Sequence, residues 1–180
     1  MVSAAAKTVV VEDRTLHVPL LALGRQLDDL VDVLIVMAPG NYVARPAPGV
    51  SGSIGEHVRH AIDHVAALLA ADATAPLSYD RRERGTAVES DISAALRQIL
   101  RLKAALERRS ARSLDDPILV ESRVSPAGPP VVGWSSLARE LAFVFSHTVH
   151  HLSTIALLMD LQDIGVPDRL GYAPSTPASQ

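Results

Sequence analysis

Apolar residues recur at spacings of three and four along four segments of this chain, the pattern of helices that each bury one face. The first helix is expected to begin near Pro19, because proline suits a first helical turn. It is expected to end before Pro39 and Gly40, which break helices. A loop rich in proline and glycine, residues 41–52, is expected to follow.

Two of the segments open with Ser or Thr followed three residues later by Glu, the signature of a capping box. The second helix is therefore expected to begin after Ser53, with Glu56 as the reciprocal partner, and to end near Asp72. The third helix is expected to open at Thr86, with Glu89 in the same role. Both boxes are local signals that need no tertiary contact.

Prolines and glycines between residues 110 and 133 exclude a long helix there. Residues 118–124 can form a short strand, with Val131 and Val132 as the hairpin partner. The last helix is expected to run from about Ser135 to Leu161. The pattern therefore predicts an all-α fold, a four-helix bundle with a long crossover connection that holds a short β-hairpin between helices 3 and 4.

Composition agrees with one helical domain over residues 1–180. Hydrophobic residues make up 48% of the chain and aromatic residues only 3%, which suits close helix packing. The only tryptophan, Trp134, is expected to be a packing anchor before the last helix. There is no cysteine, which excludes disulfides, thiolate metal sites and cysteine nucleophiles.

Charge and hydropathy narrow the partners and the compartment. The net charge is −3 without a Lys/Arg block, so we expect no nucleic acid and no anionic membrane surface as partner. No apolar stretch resembles a secretory signal or reaches the roughly 20 residues of a membrane span. We expect a cytoplasmic protein whose partner is a small-molecule substrate or a thiol, and homodimer formation stays open.

Histidine is the residue type that carries chemistry here. His147 and His151 are four residues apart, so on a helix they share one face and can bind one ion. His151 falls inside the apolar stripe of its helix and His147 at the border. Burying imidazoles together is costly unless each finds a partner, so the joint pattern favours a metal site. Six of the seven histidines form two groups: His57, His60 and His64 on the second helix, and His147, His150 and His151 on the fourth.

Four short segments resemble the DinB-like (DinB/YfiT) metal-binding superfamily of four-helix bundles. They are Ser-Ile-Gly-Glu-His-Val-Arg-His-Ala-Ile-Asp at 53–63, Tyr-Asp-Arg-Arg-Glu-Arg at 79–84, Ser-His-Thr-Val-His-His at 146–151 and Gly-Tyr-Ala-Pro-Ser-Thr at 171–176. The second and the fourth also resemble one bacterial branch of that superfamily. The resemblance covers roughly residues 20 to 176, and the order and separation of the motifs are specific.

The resemblance implies one divalent ion (zinc, nickel or iron) held by three histidines, one from the second helix and two from the HxxxH of the fourth. Its register places these ligands at His60, His147 and His151. Periodicity alone favours His57 over His60, because His57 projects nearer the apolar stripe. His57 and His64 are accessory candidates, as a fourth ligand, a partner that orients a ligand or a catalytic base. Asp63 can orient an imidazole or be a solvated carboxylate.

Three interpretations of the function remain open. The resemblance implies a metal-dependent enzyme, either a thiol-dependent transferase or a hydrolase, in which the open position of the ion lowers the pKa of bound water or thiol. The alternative is a non-catalytic, metal-stabilised bundle with a stress-associated or structural role. A metal-free helical module that pairs with itself is a third reading. No individual residue is assigned a catalytic role.

Overall fold

The computed structural model describes residues 17–46, 49, 51–72, 74–81, 83–108 and 113–177. Five helices and three short strands cover most of these residues. In chain order they are α1 (His17–Ile35), α2 (Pro39–Val43), α3 (Ile54–Ala70), β1 (Leu77–Ser78), α4 (Ile92–Glu107), β2 (Pro117–Ser122), β3 (Val131–Ser136) and α5 (Leu137–Asp160). The fold is mostly helical.

The capping box at the start of α3 is confirmed. The Ser53 hydroxyl accepts a hydrogen bond from the Glu56 amide at 3.2 Å, and the Glu56 carboxylate accepts one from the Ser53 amide at 2.7 Å. Both backbone donors would otherwise lack partners at a helix start. This cap sets where α3 begins and therefore the face on which its histidines lie.

The prediction of a second capping box, at Thr86, is wrong. The Thr86 side chain makes no capping bond, and Ala87–Glu89 forms a short 3₁₀ turn. Helix α4 begins later, at Ile92, where Asp91 is the cap and accepts a hydrogen bond from the Ser93 amide at 2.8 Å.

Tertiary contacts explain the delay. The Glu89 carboxylate pairs with the Arg59 guanidinium of α3 at 2.7 Å and also accepts a hydrogen bond from the Gly85 amide at 3.0 Å. The turn lies so close to α3 that a Cβ added at Gly55 would sit 2.1 Å from the Glu89 carbonyl oxygen. Docking of the turn on α3 therefore overrides the local capping signal.

The chain is mostly helical, and it also forms a three-stranded sheet in the order β1-β2-β3, one strand more than the expected hairpin. The expected hairpin between α4 and α5 is confirmed: β2 and β3 are antiparallel, with Ser122 opposite Val131. The strand ends at Ser122, two residues earlier than expected. Strand β1 lies parallel to β2, and its two residues are too few to show any periodicity. The loop expected at 41–52 is shortened by the single turn of α2.

The four long helices share one core. Helix α3 packs against α5 and α4, and α1 packs against the same two helices. Helix α5 is long and apolar enough to cross a bilayer by length and composition alone, a test that a core helix also passes. Its apolar face is buried among the other helices. The fully buried side chains include Leu23, Leu27, Leu30, Ile54, Ile62, Ile99, Leu152, Ile155 and Leu158.

Candidate metal centre

The packing of α3 on α5 brings the two groups of histidines together. His64 is 4% exposed and His151 6%, and His57, His60 and His147 are partly buried. His150 is exposed, as expected for a residue off the inner face of its helix. One turn of α3 separates His57 from His60, and another separates His60 from His64. The three side chains therefore lie on the same face of α3, the face that contacts α5.

Two ring nitrogens, one from His60 and one from His151, lie close to the same nitrogen of His147. The Nε2 atom of His147 lies 3.1 Å from Nε2 of His60 and 3.1 Å from Nε2 of His151. A tetrahedral ion with bonds of 2.0–2.1 Å to imidazole would hold its ligand nitrogens about 3.3 Å apart. The observed spacing is therefore close to the edge of such a coordination tetrahedron.

Hydrogen bonding alone does not account for this convergence. A ring nitrogen has one in-plane position, which carries either a hydrogen or a lone pair. His147 Nε2 can therefore form a good hydrogen bond with only one of the two nitrogens that approach it. A divalent ion would accept the lone pairs of all three rings at once, so these residues fit a metal.

His64 is the most buried histidine of α3 and adds a second set of donors. Ring nitrogens of His60, His64 and His147 all lie within 4.8 Å of one another. The His64 ring stacks on His147 with centroids 4.0 Å apart. Its Nδ1 lies 2.9 Å from the His60 carbonyl oxygen, which can only accept, so Nδ1 carries the hydrogen and Nε2 the lone pair.

His57 is connected to the cluster through His151. The Ser51 carbonyl oxygen lies 2.8 Å from His57 Nε2, so this nitrogen donates. In a neutral ring the Nδ1 atom of His57 is then bare and accepts from Nδ1–H of His151, 3.0 Å away. The same reasoning leaves Nε2 of His151 with its lone pair, directed at His147. If His151 is a metal ligand, this bond to His57 selects the tautomer that the ligand needs.

Burial keeps the His57 and His151 rings neutral. Burial lowers the pKa of His151 to about 2, and the neighbouring rings of His147, His60 and His57 act in the same direction. Burial also lowers the pKa of His57, against the opposing effect of its bond to the Ser51 carbonyl. Neutral imidazole is the form that binds a metal, so the environment favours coordination at neutral pH.

Asp63 pairs with Arg59. Its carboxylate accepts a hydrogen bond from the Arg59 guanidinium at 2.8 Å, one turn along the same helix. Arg59 is buried and also holds Glu89, so the pair fastens α3 to the 3₁₀ turn before α4. This ion pair is neither of the two roles considered for Asp63, and both of those stay predictions.

Two aromatic rings beside the histidines escaped sequence reasoning. The Tyr79 ring is parallel to His64 with centroids 5.0 Å apart, and the Phe143 ring stacks on His147 at 5.7 Å. Buried Glu140 accepts a hydrogen bond from the Tyr79 hydroxyl at 2.9 Å. Burial and the Glu140 carboxylate both raise the pKa of Tyr79, so the phenol stays protonated. The sequence feature that could have indicated this contact was Glu140, a carboxylate inside the apolar stripe of α5.

The structure thus brings together the five histidines considered for the site, and exposed His150 lies beside them with its ring 5.1 Å from that of His151. His60 and His147 belong to both possible three-histidine sets, one completed by His151 and the other by His64. The set His60, His147 and His151 stays a prediction, as do the accessory roles of His57 and His64.

Comparisons with known proteins agree with the geometry. The family model of the DinB superfamily matches residues 22–155, a range that holds both groups of histidines. A curated relative, FK506-binding protein 5 of Rhizopus delemar, is 32% identical over 101 residues, which are 56% of this chain and 26% of that protein. The chain thus spans about a quarter of the length of that relative. Comparison with solved structures found no significant match to the chain. The match to the family model over most of the chain shows that this protein belongs to the DinB superfamily.

Proposed function

We propose that this protein binds one divalent metal ion between α3 and α5 and uses it as an enzyme of the thiol-transferase or hydrolase type. The observation that carries the proposal is the position of His147 Nε2, 3.1 Å from two other ring nitrogens. The proposed ligands are His60, His147 and His151. Zinc, nickel and iron all accept imidazole, so the ligands do not select among them.

The proposed setting follows from the same fold. The pairwise packing of α1, α3, α4 and α5 supports a four-helix bundle, with the sheet as an addition to the connections. A net charge of −3 without a basic block supports a cytoplasmic protein that binds neither nucleic acid nor membrane. The name of the curated relative adds no ligand, because only about a quarter of that protein is matched.

The protein's own residues have separate roles in this proposal. When bound, a divalent ion supplies Lewis acidity and lowers the pKa of a coordinated thiol or water. His57 orients His151 through the bond between their Nδ1 atoms. The Nε2 lone pair of His64 can accept a proton from a substrate, because Nδ1 donates to the His60 carbonyl. The Tyr79 and Phe143 rings exclude water from one side of the cluster.

Metal content is the first test. Elemental analysis of the purified protein should find about one divalent ion per chain, and His147→Ala should lose it. His150→Ala is the matched control, because it removes an exposed imidazole from the next turn of the same helix. Absence of metal after incubation with zinc, nickel and iron salts would overturn the proposal.

Enzyme and structural protein differ in what His64 does. If His64 is a fourth ligand, the site is closed and His64→Ala weakens metal binding, which favours the non-catalytic alternative. If His64 is a base, His64→Ala retains the metal and lowers turnover. Turnover is measured as transfer of cysteine, glutathione or 2-mercaptoethanol to chlorodinitrobenzene, and as hydrolysis of p-nitrophenyl acetate. A metal-loaded protein inactive in every assay supports the structural role.

A further inference from the structure

A cleft of about 570 Å³ lies between the hairpin and the start of α5, next to the histidines. Pockets for small organic molecules have volumes of roughly 300–1,000 Å³. Tyr79 and Phe143 line this cleft and also contact His64 and His147 through their rings. A ligand in the cleft would therefore lie one aromatic ring away from the candidate metal centre.

The walls of the cleft are largely apolar and come from both strands of the hairpin. Val120 and Val131 share one face of the paired strands, and Val124 and Trp134 also border the cleft. Trp134 is 75% exposed, so the expectation that it anchors the packing before α5 is wrong. Trp134 is opposite Leu119, so its side chain lies on the other face of the hairpin from Val120, at the edge of the cleft, where its fluorescence can report binding.

The charge available to a ligand in the cleft is positive. The Arg139 side chain is 63% exposed, and its guanidinium lies 5.5 Å from the centre of the Phe143 ring. Glu140 also lines the cleft but is buried, and its two oxygens accept hydrogen bonds from Tyr79 and Ser135 hydroxyls at 2.9 and 2.6 Å. The nearest approach of Arg139 to Glu140 is 3.7 Å, which leaves guanidinium donors for another acceptor.

We propose that this cleft binds a small organic anion, with the apolar body of the ligand against the hairpin valines and the Phe143 ring and its anionic group on Arg139. Arginine donors in a fork suit carboxylate and phosphate groups alike. The binding claim stands without a metal. Only the further step, that the bound anion is the electrophilic substrate of the thiol chemistry, rests on the proposed function.

Direct binding tests the proposal, with Trp134 fluorescence as the readout. The probes are octanoate, octyl phosphate and neutral 1-octanol, all below the concentrations at which they aggregate. Both anions should change the fluorescence saturably and bind about tenfold more tightly than 1-octanol. Octanoate and octyl phosphate together show which anionic group is preferred. Equal affinity for octanoate and 1-octanol would overturn the proposal.

Arg139→Gln should weaken binding of both anions about tenfold and leave 1-octanol binding within twofold. Arg97→Gln is the matched control, because Arg97 lies on α4 rather than α5, is also exposed (61%), and lies 3.6 Å from the carboxylate of Asp91. Trp134→Phe should remove the signal while calorimetry still detects binding. Unchanged anion affinity in Arg139→Gln refutes the assignment.

The same titrations on metal-loaded and chelator-treated protein separate this proposal from the function. Anion binding by both forms supports the cleft, and binding only by the loaded form would show coordination to the ion and overturn the cleft. Absence of metal would remove the proposed function and leave the cleft intact. A doubled mass in solution, with Trp134 fluorescence insensitive to the probes, would show that a second copy of the chain covers the cleft and would refute ligand binding.

Discussion

His57 tests how the cluster is organised, because its contacts make it a residue that orients a ligand. It joins the Ser51 carbonyl at 2.8 Å to His151 Nδ1 at 3.0 Å. Replacing it by Ala removes the acceptor that selects the His151 tautomer. His151 can then rotate or carry its hydrogen on Nε2, the atom that faces His147 at 3.1 Å.

The expected size of the effect follows from that role. Loss of a residue that orients a ligand typically lowers metal affinity 10–100-fold, or about 1.4–2.7 kcal/mol. His60→Ala removes a proposed ligand and leaves two, so affinity should fall by several orders of magnitude. His57→Gln should recover part of the loss, since its amide can donate to the Ser51 carbonyl and accept from His151.

The measurement is a competition titration of zinc between the protein and a chromophoric chelator at pH 7.5, with His150→Ala as the exposed control. The predicted order of affinity is wild type and His150→Ala, then His57→Gln, then His57→Ala, then His60→Ala. If His57→Ala loses more affinity than His60→Ala, the ligand on α3 is His57 and the register taken from the resemblance is wrong. If His57→Ala and His150→Ala bind zinc with equal affinity, the claim that His57 orients His151 is refuted.

Three further predictions concern stability. The pKa of His151 in the folded protein lies below its unfolded value of about 6.5. The metal-free protein should therefore lose stability as the pH falls from about 7 toward 2, by at most about 1.4 kcal/mol per pH unit and less where solvent screens the ring. A denaturant midpoint that does not change with pH below about 6.5 would contradict this. At pH 7.5 a chelator should lower the melting temperature, because a metal bound to neutral imidazole stabilises the folded state; a melting temperature that does not respond to the chelator would contradict this. Ser53→Ala should lower the free energy of unfolding by about 1 kcal/mol in urea denaturation, because it removes the cap of α3. Gly55→Ala should lower it by about 1–3 kcal/mol or more, because the new Cβ would lie 2.1 Å from the Glu89 carbonyl oxygen. The reverse order would show that the turn before α4 is free to move away.

What could be predicted from the sequence was mostly local. The cap at Ser53 depends on residues three apart, and it formed as expected. The hairpin of β2 and β3 followed from the prolines and glycines that exclude a helix between α4 and α5. The spacing of His147 and His151 placed both on one face of α5, because a helix turns once in 3.6 residues, and their Nε2 atoms meet at 3.1 Å.

Contacts between distant segments decided the rest. The Thr86 signal failed because Glu89 is held by Arg59 of α3, a partner that no local pattern can reveal. Periodicity ranked His57 above His60 by distance from the apolar stripe, but both contact histidines of α5, because the facing helix surrounds a wider arc of α3 than the stripe alone suggests. The pairing of β1 with β2 and the exposure of Trp134 likewise depend on where the hairpin docks. Periodicity measures the average direction of the core, and only packing determines which side chains meet within it.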